Sequence, residues 1–101
     1  MINVLASITI NEGELAKFLE IFKANVPLVR AEDGCIEYFP TIDVDSCLPI
    51  QVKEPLTVTI IEKWQSLDAL HAHLASPHML AYREETKDIV EKVSLKVLQE
   101  V

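Results

Sequence analysis

From Ile2 to Ile10 the chain alternates: Ile2, Val4, Ala6, Ile8 and Ile10 fall on one face, and Asn3, Ser7 and Thr9 on the other. A period of two with one apolar face is the pattern of a half-buried β-strand. The period then changes. Leu15, Phe18, Leu19, Phe22 and Val26 recur at helical spacing. Asn11 stands three residues ahead of Glu14, the spacing of a capping box with Asn in place of Ser or Thr. Pro27 is expected to kink or restart this helix, which must end by Gly34. Cys35 to Val44 predicts a second strand, with Tyr38 and Phe39 near its middle. Residues 45–54, with Pro49 and several polar groups, predict a loop that is long for a hairpin connection. Thr57 to Trp64 is rich in β-branched residues and predicts a third strand. Ser66 suits the N-cap of a short helix through Leu67, Leu70 and Leu74. Ser76-Pro77 opens another helix, with serine at the cap and proline at the first helical position, running to about Lys92. Val93 to Val101 alternates again and predicts a fourth strand.

The order is β-α-β-β-α-β with the second helix broken in two. It predicts an α+β protein of ferredoxin-like topology with an antiparallel sheet. No repeat is visible, and 101 residues make a single domain over 1–101. Helices can cover only one face of such a sheet. The other carries Leu5, Ile61 and Leu98 among Ser7, Thr57, Thr59 and Lys63, too polar for a core and rather apolar for open solvent. A second copy packed sheet to sheet would account for that mixture, which makes a homodimer the expectation. The alternative is a monomer with one wetted sheet face.

Composition and charge narrow the function. The net charge of −7 argues against a nucleic-acid or anionic-membrane surface, which needs clustered Lys and Arg. No run of eighteen apolar residues occurs. The start, Met1-Ile2-Asn3-Val4, lacks the basic region and cleavage site of a signal peptide, so a cytoplasmic location is expected. Cys35 and Cys47 have no C-x-x-C spacing and are expected unpaired, with no cation in the local sequence to activate either thiol.

Three segments could carry chemistry: Glu32 to Tyr38, Glu62-Lys63-Trp64, and His71 to His78. On the third strand Leu56, Val58, Ile60, Glu62 and Trp64 share one face, so Glu62 and Trp64 should point beneath the helices. A carboxylate there must find a partner or line a cavity. Glu62 either pairs with a lysine at the sheet rim or, with Trp64, closes one end of a ligand pocket. All three histidines fall within eight residues. His78 lies in the first turn of the third helix, where the helix dipole favours a neutral imidazole, usable as a base near pH 7. Tyr82, four residues on, shares its face. His73 closes the preceding helix, and His71 should point into solvent. The pattern H-x-H-x4-H has metal-ligand residue types, but Pro77 breaks the helix between the second and third, so no metal site is expected. The three could equally cap and pack. With two glycines in all, and no phosphate loop, dinucleotide fingerprint or Ser-His-Asp order, no nicotinamide or tightly bound flavin is expected.

Taken in order, Glu32-x-Gly34-Cys35-x-x-Tyr38, Glu62-x-Trp64 and His73-Leu74-x-Ser76-Pro77-His78 resemble the antibiotic biosynthesis monooxygenase superfamily, nearest its quinol monooxygenase-like branch. The resemblance runs over essentially the whole chain. It implies a dimeric α+β barrel, and a cofactor-independent monooxygenase in which a small phenolic or quinol substrate is deprotonated and itself reduces O2. Carried over by position, His73 or His78 would deprotonate or orient a phenolic hydroxyl. Trp64 would stack on the ring, Glu62 would hold a histidine or a substrate hydroxyl, and Tyr82 and Tyr38 would line the pocket. The haem-degrading branch places an Asn on the first strand, which is missing here because Asn3 lies too early, and its ligating His falls near Arg83. A further branch isomerises small phosphorylated carbonyl compounds, and under that reading Arg83 or Lys63 would meet the phosphate. A third possibility is a non-catalytic small-ligand-binding dimer on the same fold.

Overall fold

The computed structural model describes residues 1–101, a slab of 37 × 36 × 20 Å. Its elements are β1 (Ile2–Ile10), α1 (Leu15–Arg30), β2 (Cys35–Thr41), β3 (Thr57–Trp64), α2 (Leu67–Leu74), α3 (Pro77–Thr86) and β4 (Val90–Leu98). The four strands form one antiparallel sheet in the order β2-β3-β1-β4. This is the ferredoxin-like α+β arrangement that the period changes predict. Val4, Ala6, Ile8 and Ile10 of β1 and Val58 and Ile60 of β3 are buried on one face. Phe18, Phe22, Val26 and Val29 of α1 close that face into a core. Phe22 stacks on Tyr38 of β2 and meets Tyr82 of α3 edge-on, with ring centroids 5.6 and 5.7 Å apart, a pairing that adds geometric preference to the area buried.

Several boundaries differ from the sequence expectation, each for a local reason. Asn11 forms no capping box. Glu14 is the N-cap residue and makes no side-chain cap bond, while the Asn11 amide donates to the Asp88 carbonyl at 3.1 Å. The backbone N–H of Asn11 likewise donates to the Ile89 carbonyl. These bonds tie the 88–89 turn to the end of β1. The α3 helix therefore ends at Thr86, not near Lys92, and β4 begins at Val90. At α3's end the Thr86 hydroxyl donates back to the Tyr82 carbonyl. The second strand stops at Thr41, not Val44, where the chain leaves the sheet. The α1 helix neither stops nor restarts at Pro27. Pro27 is exposed, so water can reach the carbonyl that loses its N–H donor. Ser66 caps α2 as expected, accepting from the Ala69 N–H.

Gly34 sets the geometry between α1 and β2. Its φ is +82°, a left-handed conformation that favours glycine. A Cβ there would lie 2.6 Å from the Ala69 Cβ of α2. The close approach brings the end of α1 against α2, and so places Glu32 beside the α2–α3 junction.

The helical layer stops short of β4. Val93, Leu95 and Val97 pair with Ile8, Ala6 and Val4 and share their face. They are nevertheless 58, 50 and 47% exposed, against 6, 5 and 1% for those partners.

Candidate active site

Beneath α1 and α3 lies a cavity of about 270 Å³, lined mainly by apolar and aromatic groups. Ala6, Ile8 and Ile60 form its floor, Phe22, Leu74 and Met79 part of its roof, and Val93 and Leu95 its side along β4. The polar groups on its wall are Glu62, His73, Tyr38, Tyr82 and Arg83. An apolar hollow with a few convergent polar groups is the usual form of a small-molecule site, here at the small end of the range.

His73 is 1% exposed at the C-terminal end of α2. Its Nδ1 lies 2.9 Å from Oε2 of Glu32. Burial lowers its pKa, a fall that the Glu32 contact opposes. A neutral imidazole that donates Nδ1–H to a carboxylate carries its lone pair on Nε2. The Nε2 of His73 makes no hydrogen bond within the protein, and His73 lines the cavity. This is the histidine–carboxylate arrangement that orients a general base.

Glu32 does a second thing. The same Oε2 lies 2.7 Å from His78 Nε2. That nitrogen is also 3.2 Å from the Ser76 hydroxyl, which itself donates to the His73 carbonyl. Ser76 occupies the N-cap of α3, but its side chain turns back to α2 instead of capping. Glu32, Ser76 and the two histidines thus lock α2 and α3 against the end of α1. His78 lies behind Glu32, in a crevice between α1 and α3 with Ile21, Ala24 and Tyr82, and not on the cavity wall.

Glu62 is 6% exposed and accepts a hydrogen bond of 3.0 Å from Trp64 Nε1. Burial raises its pKa to about 7, with the Trp64 bond opposing and the Glu32 charge adding. At neutral pH this carboxyl is therefore a mixture of acid and anion. No lysine pairs with it; Lys63 points to the opposite face, 4.0 Å from Glu37. Trp64 is wholly buried and lies outside the cavity wall. Its indole sits against the His73 ring, with centroids 4.6 Å apart. It cannot stack on a ligand from there, and its contacts suit it to positioning both Glu62 and His73.

Tyr38 and Tyr82 line the cavity as expected, their phenols pushed upward in pKa by burial and therefore neutral. Arg83 is exposed at the rim and donates to the Leu74 carbonyl. His71 is exposed and takes no part. Cys35 and Cys47 are both free. No group of three or more His, Cys, Asp and Glu side chains has a metal-holding arrangement.

Sequence reasoning placed Glu32 in a motif but gave it no role, and expected Glu62 to hold a histidine or a substrate hydroxyl. The structure gives the histidines to Glu32, which holds both, while Glu62 accepts from Trp64 and lines the cavity. Contact across forty-one residues between Glu32 and His73 leaves no local signature. The Asp-Gly turn directly after Glu32 was the available hint that this carboxylate is fixed in place.

A family model described as antibiotic biosynthesis monooxygenase matches residues 1–85. The chain belongs to this family. It is 36% identical over 101 residues to the probable quinol monooxygenase YgiN of Escherichia coli (strain K12), covering 98% of this chain and 97% of that protein. Among solved structures, Rv0793 from Mycobacterium tuberculosis superposes with a TM-score of 0.82 at 25% identity, covering 99% of this chain and 94% of that one. PA3566 from Pseudomonas aeruginosa superposes with a TM-score of 0.83 at 23% identity, over 99% and 93%. Family membership and the YgiN relationship support a monooxygenase-type function. No helix is long and apolar enough to cross a membrane.

Proposed function

We propose that the protein is a cofactor-independent monooxygenase that oxidises a small phenolic or quinol substrate with O2. The observation that carries this reading is His73: a buried imidazole on the wall of an apolar cavity, held through Nδ1 by Glu32 so that Nε2 is left free of protein partners. Its lowered pKa keeps it a base at neutral pH.

For a hydroquinol, His73 Nε2 takes one hydroxyl proton. The quinolate passes one electron to O2, giving a semiquinone and superoxide, which join through a new C–O bond at the ring carbon beside the oxygen. The proton returns to the peroxo group. Loss of the ring C–H proton then breaks the O–O bond, releases water and leaves a hydroxyquinone. One quinol and one O2 become one hydroxyquinone and one water, and the substrate supplies every electron. The apolar walls favour the neutral substrate, and Glu62 in its acid form donates a hydrogen bond to the anionic oxygen. Trp64 positions Glu62 and His73, and His78 steadies Glu32. Tyr38 and Tyr82 face the substrate ring or its hydroxyls, and Arg83 guards the rim. The protein acts as a homodimer, a reading supported by the half-exposed Leu5 and Leu98 on the helix-free sheet face. The unpaired Cys35 and Cys47 fit a reducing cytoplasm.

The test is O2 consumption with a naphthoquinol or an anthrone, corrected for autoxidation. Wild type should exceed buffer clearly, and His73→Ala should lower kcat/KM by ~10²–10⁴, the usual contribution of a positioned base. A broad phenol panel oxidised no faster than in buffer would end the proposal. Arg83 is the one Lys or Arg side chain on the cavity wall, which favours a second reading: proton transfer on a small phosphorylated carbonyl compound. That reaction would run under nitrogen and change the NMR spectrum of a phosphorylated hydroxyketone. Unchanged spectra would dispose of it.

A further inference from the structure

The candidate base and the α1–α3 crevice are joined through one atom. Oε2 of Glu32 lies 2.9 Å from Nδ1 of His73 and 2.7 Å from Nε2 of His78. A carboxylate oxygen has two lone pairs, and here each faces a histidine. The two rings differ in their surroundings. The His73 side chain is 2% exposed on the cavity wall, and the His78 side chain is 22% exposed in the crevice.

Ser76 decides which nitrogen of neutral His78 carries the proton. Its hydroxyl donates to the His73 carbonyl at 2.8 Å, so toward His78 its oxygen can only accept. His78 Nε2 therefore bears a hydrogen, offered to Glu32 and Ser76, and Nδ1 holds the lone pair. That Nδ1 has no partner in the protein, and no buried side-chain nitrogen or oxygen is left unpaired, so Nδ1 is open to water. A proton can add there without disturbing any contact of Glu32. His78 can thus change its charge in place.

That charge bears on His73. Neutral His78 leaves the Glu32 anion to favour a second proton on the His73 ring. Charged His78 draws on the same oxygen and sets a cation against the His73 imidazolium. The His73 pKa reflects these forces: burial lowers it most, Glu32 raises it, and the charges of His78 and Arg83 lower it further. Tyr82 and Glu85 also face His78 in the crevice, and Tyr38, Glu62 and Arg83 share the cavity wall with His73. The Glu32 charge reaches Cys35 of β2 and Glu62 of β3 as well.

We infer that His78 is a positioning residue for the base: it shares the Glu32 oxygen with His73, and its charge, set from the α1–α3 crevice, governs how strongly His73 holds a proton in the cavity. The inference rests on the reading of His73 as the base for its catalytic meaning, but the coupling itself is measurable without substrate.

Two variants separate charge from support. His78→Gln keeps a donor toward Glu32 and removes the charge; His78→Lys keeps a donor and fixes the charge. Both retain Glu62, whose carboxyl titrates at about 7 and is common to the comparison. The His73 ring nitrogens are followed by NMR titration of the full chain, whose three histidines are few enough to assign by substitution. The His73 midpoint should lie about one pH unit higher in His78→Gln than in His78→Lys, the effect of a charge within ~4–6 Å. Wild type should lie no higher than the first and no lower than the second. The acid limb of the kcat/KM profile for O2 uptake should be displaced in the same order, because the neutral imidazole is the active form. Should either variant not fold, His78→Asn and His78→Arg make the same comparison. Equal midpoints in the charged and uncharged variants, or a lower one in the uncharged, would overturn the inference and leave His78 a mere support for Glu32. The predicted order of midpoints with no O2 uptake by any form, wild type included, would instead leave the coupling standing and remove the monooxygenase reading.

Discussion

Two halves of the same sheet face meet opposite fates. Along β1, Val4, Ala6 and Ile8 are at most 6% exposed beneath α1; their cross-strand neighbours Val97, Leu95 and Val93 are about half exposed. The residues are equally apolar and the alternation is equally regular. What differs is the layer above them. Periodicity reports which face of a strand is meant to be covered, and coverage depends on where the helices land. The candidate site lies at this boundary. Its floor and its polar groups belong to the covered half, and its open side belongs to the bare one.

The comparison can be broken by substitution. Phe22→Ala, in the covered half, removes a fully buried ring that touches Tyr38 and Tyr82, and should cost about 3–5 kcal/mol in urea unfolding. A loss under ~1 kcal/mol would mean the covered half is not the core.

Glu62→Gln should sharpen it through pH. The folded pKa of Glu62, about 7, lies above its ordinary 4.5, so the folded state binds more protons between those values. Stability from this group is therefore full below pH 4.5 and is lost as pH rises through about 7. The loss is on the order of 3 kcal/mol, at 1.36 kcal/mol per pKa unit. Glu62→Gln should flatten that decline in unfolding curves between pH 5 and 8, while the opposite limb from His73 persists. His73, with its pKa lowered from 6.5, contributes stability above that value that is lost on acidification below it. An unaltered pH dependence in the variant would contradict a buried, raised Glu62.

The smallest effect is expected on the bare strand. Val97→Ala should cost under ~1 kcal/mol when the protein is diluted to a monomer, because the side chain is already half in water. Its cost should grow with protein concentration if β4 is covered in the dimer. A concentration-independent shift would show that β4 stays bare.

Much of the fold was legible in the sequence because each strand and helix carries its own period. The failures were local competitions. Asn11 has capping-box spacing but finds a better partner in the Asp88 carbonyl, and that choice ends α3 early and starts β4 early. Pro27 looked like a break but sits on the exposed side of α1. At the site, Glu62 was readable, since a polar residue in an apolar stripe stands out, and His73 was singled out through the motif that carries the family resemblance. Glu32's grip on both histidines and Trp64's place outside the cavity wall were not legible, because both depend on contacts between the end of α1, α2 and the end of β3. The connection between β2 and β3 was read only as a long loop with polar groups. Its inward-turned polar network, with Gln51 bridging Ser46 and Val44 and Asp45 pairing with Lys53, becomes visible only in three dimensions.

One measurement bears most directly on the central claim, that His73 addresses a phenolic hydroxyl inside this cavity. It is a crystal structure of the protein with a bound non-oxidisable naphthol. The ligand oxygen should lie within hydrogen-bond distance of His73 Nε2, with Glu32 still on Nδ1 and the ring between Tyr38, Ile60 and Leu95. A naphthol bound in the α1–α3 crevice beside His78, or in the cavity with its hydroxyl turned away from His73, would contradict it.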